Sequence, residues 1–461
     1  MSVKSARARS RLIASLFVVL ALLLAACGGD DGDGGDESGG SDTTGGSDDT
    51  SVESEDFPSI SGVPGVTDTE IRFAAFGTDS NNPLGTCVLK CYTDGIKAYF
   101  EYRNSEGGVF GRDLVLSEEL DDRLSENQQR ALEIVSADDT FGAFSATQIA
   151  SGWADVAEAG MPLYVWNIHP AEAAKPSIFG NAGVICIDCL QRSAAYVASL
   201  AGAERVASLG YGISENSKLA SQTAARSVEA FSDEIGGTEV VYTNDDLAFG
   251  LPNGIGPEVS AMKDADVDFI FASIDLNGMK TLAQELERQG MGDVPMYHPN
   301  TYDQSFVEEA GGLFEGDYVG VGFRPFEGEA AGSALDTFKE WMDETGAEIL
   351  EISMVGWINA DLAYQGLLAA GPEFDRAKVI EATNEMTEYT ADGLIPPIDW
   401  SRQHEPPTPE DTATHGGEFD CVALVQVNDG QFEVVGDAAK PWSCWPGENR
   451  EWSEPTAMNF E

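Results

Sequence analysis

The feature that restricts this chain most is the regularity with which strand-like and helix-like segments alternate along it. Glu70–Phe76 (EIRFAAF) is short, apolar and strand-like; Asp94–Asn104 then sets Ile96, Tyr99 and Phe100 at helical spacing, and Asp113–Leu116 reads as strand again. A helix over Ser125–Ala137, an apolar strand at Phe141–Phe144, a helix over Trp153–Ala159 and the strand PLYVWNI at 162–168 continue the order. Strands linked through helices lie parallel, because the chain must return to the same end of the sheet before it adds the next one. A Pro/Gly-rich passage at 169–183, HPAEAAKPSIFGNAG, interrupts the series. It resumes through Leu190–Leu200, Val206–Leu209, Ser217–Ile235, Val240–Tyr242, Val259–Lys263, Val267–Ile274, Met279–Arg288 and Val294–Tyr297. Helices follow at Ala334–Asp343, Gly356–Ala369 and Ala377–Met386, then a hairpin at 421–435, CVALVQVNDGQFEVV, turning at Asn428, Asp429 and Gly430. Each series is too short to be the whole, so the pattern predicts an α/β fold of two doubly wound parallel-sheet lobes.

The alternation begins only after a different kind of sequence. Lys4, Arg7, Arg9 and Arg11 precede an apolar stretch, Leu12–Ala26, broken only by Ser15, which is the layout of an export signal. At about 15 residues it is short for a membrane-spanning helix. Leu24-Ala25-Ala26-Cys27 resembles the lipobox of bacterial lipoproteins, where the signal is cut before a cysteine that is then acylated, so Cys27 is read as a membrane anchor. Residues 28–56 are almost wholly Gly, Ser, Thr, Asp and Glu, with no aromatic residue before Phe57. Such a segment cannot bury enough apolar surface to offset ordering, and is expected to be a disordered tether.

Lys and Arg number 26 against 79 Asp and Glu, a net charge of −53. A surface of that sign repels phosphate, which excludes nucleic acid as a partner. Beyond Cys27 there are six cysteines: Cys87, Cys91, Cys186, Cys189, Cys421 and Cys444. In an exported chain the most economical reading is three disulfides between neighbours in that order, although six cysteines allow 15 connectivities. Cys186-Ile187-Asp188-Cys189 also has the spacing of a redox pair, and four cysteines could hold zinc; a structural bridge is preferred, because no thioredoxin-like surround is present and the chain has only four His. No metal is therefore expected.

GVTDTEIRFAAFG at 65–77, GIKAYFEYRNSEGGVFGRDLVL at 95–116 and the pair Asp121-Asp122 resemble, in order and spacing, the opening of the branched-chain amino-acid substrate-binding proteins of ABC importers. The resemblance continues through FGAFSATQIASGWADVAEAGMPLYVWNI at 141–168 and MVGWINADLAYQGLLAAG at 354–371, and covers nearly all of 65–445. It implies a type I periplasmic binding protein fold: two lobes joined by a three-crossing hinge, closing over a small molecule and handing it to a membrane permease. The crossings then fall near 169–183, 320–330 and 387–420. Residues 1–26 are the signal peptide and 27–64 the lipidated linker. The first lobe takes 65–175 and 323–390; the second takes 176–322 and 391–461. A monomer without a cofactor, held to the outer face of the membrane through Cys27, is implied.

Ligands of open α/β sheets bind beyond the carboxyl ends of strands, near helix N-termini. In the first lobe that selects Ser145, Thr147 and Gln148, then Trp166, Asn167 and His169. In the second it selects Tyr211, Ser214, Asn216 and Ser217, then Asp275 and Asn277, then Asn300, Tyr302 and Asp303. Each of these could instead cap a helix or pack, and Trp166, Tyr211 and Tyr302 could stack on a flat ligand. The acidic residue that holds an amino-acid ligand's ammonium in the family aligns with Asn300, so an α-amino acid would need Asp275 or Asp303 in its place. An amide, urea-like, aromatic or carboxylate ligand stays open. No nucleotide-binding, serine-hydrolase or zinc-protease motif is present, so the chain is not read as an enzyme. The same lobes also serve as sensory receptors without transport, and sequence does not separate the two roles.

Overall fold

β1 (Glu70–Gly77) is buried over nearly its whole length because parallel neighbours flank it, β2 (Asp113–Asp121) on one side and β3 (Gly142–Ala146) on the other. The computed structural model describes residues 57–82, 86–147, 149–166, 172, 174–182, 189–299, 301–329, 332–405, 419–447 and 451–461. The signal segment, Cys27, the tether to residue 56, Gln148, Asn167, His169, Cys186 and Asn300 lie outside the described residues. β4 (Leu163–Val165) and β5 (Ile178–Gly180) complete a five-stranded parallel sheet in the order β2-β1-β3-β4-β5. β5 extends the first lobe past the expected limit at 175: Ile178 and Phe179 are an apolar pair that joins the edge of this sheet beside β4, and both are fully buried there.

The helices that return the chain are α1 (Leu89–Ser105), α2 (Asn127–Ala137) and α3 (Trp153–Glu158). The second lobe is built the same way from β6 (Arg205–Tyr211), β7 (Glu239–Leu247), β8 (Phe269–Ser273), β9 (Met296–His298) and β10 (Tyr318–Val321), all parallel in the order β7-β6-β8-β9-β10. Its helices are α4 (Arg192–Leu200), α5 (Glu215–Ala230), α6 (Gly256–Asp264), α7 (Leu276–Gln289) and α8 (Gln304–Ala310).

α9 (Ala334–Thr345), α10 (Glu351–Ala370) and α11 (Arg376–Asn384) then go back to the first lobe, where α10 packs on α1 and α11. Every residue of α10 from Ile352 to Ala363 is buried, as expected of a helix that is apolar on all sides and has to be enclosed. Glycines set the contact: a Cβ on Gly356 would lie 2.0 Å from the Tyr92 carbonyl oxygen, and one on Gly95 would lie 1.8 Å from that of Ser353. The two backbones touch, which no other residue permits.

The return to the second lobe comes later than the expected residue 391. Tyr389 and Ile398 exchange backbone hydrogen bonds, Trp400 N–H donates to Met386 O at 2.8 Å, and the fully buried Trp400 ring meets Phe179 at 5.3 Å. Tyr389, Ile398 and Trp400 thus keep this stretch against the first lobe. β11 (Phe419–Asn428) and β12 (Gln431–Val434) form the expected hairpin, with Asp429 and Gly430 both at positive φ, the turn that matches strand twist. β13 (Trp442–Pro446) and β14 (Thr456–Met458) extend the larger sheet antiparallel. Cys87–Cys91 and Cys421–Cys444 are disulfides, the latter across the β11/β13 pair, and Cys189 is also disulfide-bonded. No helix among the described residues is long and apolar enough to cross a membrane.

Candidate functional site

The loops at the carboxyl ends of both sheets carry the candidate site, and contacts beside them join the two lobes residue by residue. In the first lobe, Leu89 N–H donates to Thr78 O, which sets the start of α1 beside the loop after β1. The first turns of α10 lie on those of α1, so Glu351, the first residue of α10, stands at that edge too. In the second lobe, Tyr302 and Asp303 follow β9. Burial, and then the nearby Asp303 carboxylate, push the Glu351 carboxyl up to about 8.

Between them runs the second crossing. The Tyr302 ring stacks on Phe326 with centroids 5.0 Å apart, and Phe326 in turn stacks on Phe338 of α9 at 6.0 Å. Phe326 N–H donates to the Tyr302 hydroxyl at 2.6 Å, that hydroxyl donates to Glu327, and Lys339 Nζ of α9 donates to Phe326 O at 2.7 Å. Each lobe therefore grips one residue of the crossing. Burial raises the Tyr302 and Glu327 pKa values, Tyr302's further because Glu327 lies against it. Arg324 N–H donates to Leu394 O at 2.7 Å, joining this crossing to the third, and the Arg324 guanidinium pairs with Glu461 at 3.1 Å. Tyr302, selected from sequence as a ligand contact, is 4 % exposed and serves the hinge.

The first-lobe edge is organised by a carboxylate that the sequence reading passed over. Asp122, fully buried, accepts from Thr78 Oγ1 (2.9 Å) and Leu124 N (2.8 Å) on one oxygen and from Thr147 Oγ1 (2.6 Å) and Asn127 Nδ2 (3.0 Å) on the other. It thereby ties together the loops after β1, β2 and β3. Its neighbour Asp121 accepts from Asp79 N, Ser80 N and Arg123 N. The Asp121-Asp122 pair was the available signal. Thr147 thus spends its hydroxyl on Asp122, and Ser145, fully buried, accepts from Trp153 Nε1 at 2.9 Å and offers its carbonyl to Trp166 N. Neither hydroxyl is turned outward. Trp166, one residue past β4, is half-buried at the edge.

In the second lobe Tyr211 is 2 % exposed, and its hydroxyl donates to Asp275 at 2.5 Å. Burial and that carboxylate both raise its pKa. Asp275 also caps α7 by accepting from Gly278 N at 3.0 Å. Ser217 accepts from Tyr211 N at 2.7 Å and donates to Ser273 O, cross-linking β6 and β8. Asp303 caps α8 through Phe306 N at 3.0 Å. Asn277 is exposed on the first turn of α7, and Asn216, on the first turn of α5, holds a buried side-chain oxygen with no hydrogen-bond partner. The carboxyl-end loops of both lobes thus carry capped helix N-termini and hydrogen-bonded carboxylates, an arrangement suited to holding a small molecule.

No curated protein is similar to the chain in sequence. Among solved structures, the leucine-binding protein of Thermotoga maritima superposes with a TM-score of 0.63 at 15% identity, covering 79% of this chain and 98% of that one. A fatty acid ABC transporter substrate-binding protein from Thermomonospora curvata gives 0.62 at 17%, covering 85% and 100%. A solute-binding protein of an R. palustris ABC transporter, in complex with 4-hydroxybenzoate, gives 0.59 at 18%, covering 80% and 96%. At such identities these likenesses establish the fold. The profile described as periplasmic binding protein matches residues 75–431, from β1 to the first residue of β12, and by that match the chain belongs to the periplasmic binding protein family.

Proposed function

We propose that the protein is an extracytoplasmic solute-binding lipoprotein that captures a small molecule between its lobes and delivers it to an ABC importer. The observation that carries this reading is the clamped second crossing, where Tyr302 of the second lobe stacks on Phe326 and Phe326 on Phe338 of the first, with Asp303 close enough to Glu351 to act on its carboxyl. A solute touching both edges binds the closed form better than the open form, and shifts the population by that difference in affinity. The closed surface is what a permease would recognise. Relatives of the same fold carry leucine, a fatty acid or 4-hydroxybenzoate in their names, which supports solute binding while leaving the solute itself open. Cys27, acylated, would hold the protein to the outer face of the membrane, and the acidic tether would keep it near the transporter. Ligand contact is assigned to the two edges: the loops carrying Ser145, Thr147, Gln148, Trp166, Asn167 and His169 on one side, and those carrying Tyr211, Asn216, Ser217, Asp275, Asn277, Asn300 and Tyr302 on the other. In that assignment Ser145, Thr147, Tyr211 and Tyr302 shape the loops, and their backbone and neighbours do the touching.

The test is small-angle X-ray scattering on the full chain with a panel of amino acids, amides and aromatic acids, run beside thermal denaturation. A bound solute should reduce the radius of gyration and raise the melting temperature together, since binding only the native state stabilises it by RT ln(1 + [L]/Kd). A rise in melting temperature without compaction, or conversion of a panel member into a new product, would refute capture between lobes.

A further inference from the structure

Ala391, Asp392 and Gly393 stand at φ of 48°, 57° and 89°, the longest run of positive φ among the described residues. An alanine is strained there, and such a run persists only where its surroundings hold it. The run lies in the third crossing. Within it, Gly393 N–H donates to Thr390 O at 3.1 Å and to Thr390 Oγ1 at 3.2 Å, and Ile395 N–H donates to Thr390 O at 3.0 Å. Tyr389 and Trp400 keep this stretch against the first lobe, as described above. The other side of the turn meets the second lobe. A Cβ on Gly393 would lie 2.9–3.1 Å from three atoms of Glu461, so the turn rests directly on the segment that follows β14. That segment is rooted in the larger sheet, because the Phe460 ring packs on Trp442 of β13 at 6.4 Å and on Phe419 of β11 at 6.3 Å.

One side chain ties these pieces together. Arg324, 2 % exposed and in the second crossing, donates from its backbone N–H to Leu394 O at 2.7 Å, beside the turn. Its guanidinium donates to Asn459 Oδ1 at 2.7 Å, pairs with Glu461 Oε1 at 3.1 Å and donates to Glu329 O. A buried guanidinium is costly unless it is paired, so it fixes where Asn459 and Glu461 sit. We propose that Arg324, Asn459 and Glu461 form a latch on the hinge: they hold the left-handed turn 391–393 in place, and their release lets the third crossing relax and the lobes swing. This rests on the two-lobe reading proposed above and adds the element that resists the movement. A solute shifts the lobes only by its difference in affinity for their arrangements, and the latch sets how large that difference has to be.

The experiment needs no solute. Hydrogen exchange read by mass spectrometry is measured on the full chain, on Asn459→Ala combined with Glu461→Ala, and on Gly393→Ala. Interlobe distance is read in the same three proteins by electron–electron resonance between spin labels on Ser136→Cys and Ser199→Cys, in a Cys27→Ala background. Both serines are exposed, one on α2 of the first lobe and one on α4 of the second. Asn459 and Glu461 are exposed as well, so the double variant should fold. It should speed exchange at 390–395 and at Arg324 by at least about tenfold, the scale of losing one hydrogen bond to a charged group. Gly393→Ala, which forces the same contact from the other side, should speed exchange at 456–461. Both should broaden the distance distribution or shift it from that of wild type. The latch is overturned if exchange at 390–395 is unchanged in the double variant, or if it quickens while the interlobe distance stays as in wild type, which is the result of a merely structural contact. Either failure leaves solute capture standing, because capture is read on the wild-type hinge with solutes. A distance that neither the variants nor any solute of the panel moves would count against both.

Discussion

Asp122→Asn exchanges one oxygen of a fully buried carboxylate for an NH2 group, at the point where three loops of the first-lobe edge meet. The carboxylate accepts four hydrogen bonds. An asparagine there can keep its oxygen toward Thr78 and Leu124, which turns its NH2 toward Thr147 and Asn127. The Thr147 hydroxyl can rotate to accept. Asn127 Nδ2 cannot, and the Asn127 amide cannot flip either, because its Oδ1 already accepts from Gly152 N at 2.9 Å. One hydrogen bond to a charged group is therefore lost, and one buried donor is left facing another donor. Hydrogen bonds to charged groups contribute about 1.5–3 kcal/mol and an unpaired buried group costs about 1–3 kcal/mol; these describe the same lost contact, so a destabilisation of ~2 kcal/mol is expected. Urea denaturation gives the total. Hydrogen exchange read by mass spectrometry over 122–127 and 147–152 should show protection lost in those segments first. Adding Asn127→Asp supplies an acceptor to the new NH2 and to Gly152, and should restore most of the loss. A change under about 0.5 kcal/mol in the single variant, or no rescue in the double, would refute this account of how the edge is held.

Glu351→Gln should change how stability depends on pH. With its carboxyl pushed up to about 8 from an ordinary value of 4.5, the folded chain holds a proton that the unfolded chain releases, so wild-type stability falls as pH rises across that window and this contribution levels off above it. The helix N-terminus opposes the shift by only about 0.3–1 kcal/mol, less than burial beside Asp303 demands. Urea midpoints of the two proteins should nearly coincide at the acid end and separate toward pH 8 with the variant higher; parallel curves would show that Glu351 is not the group titrating. Cys27→Ala should move the expressed protein from the membrane pellet to the soluble fraction, and retention in the pellet would exclude the lipid anchor.

The doubly wound pattern was legible because strands buried between parallel neighbours, such as β1 and β8, must be apolar on both faces, and the helices between them on one. β5 was not. Its three residues are too few to show a period, and they sit in a passage whose prolines and glycines read as a loop. Trp400 misled in the same way, since its ring packs on Phe179, more than two hundred positions earlier in the chain. For the candidate site, topology alone located the loops that follow the strands, because the carboxyl ends of strands follow from strand order. What each side chain does there did not follow. Thr147 turns inward to Asp122, Tyr211 to Asp275 and Tyr302 to Glu327, across 25, 64 and 25 residues, and no local spacing encodes partners that far apart. Polar residues at strand ends, with Trp166, Tyr211 and Tyr302, were read as ligand contacts. At these edges the hydroxyls of Thr147, Tyr211 and Tyr302 are consumed in holding the loops, while Ile149, Ile213 and Asn277 stay exposed. An edge stiffened by internal hydrogen bonds has little conformational entropy left to lose on binding, so less of any binding energy goes into ordering it.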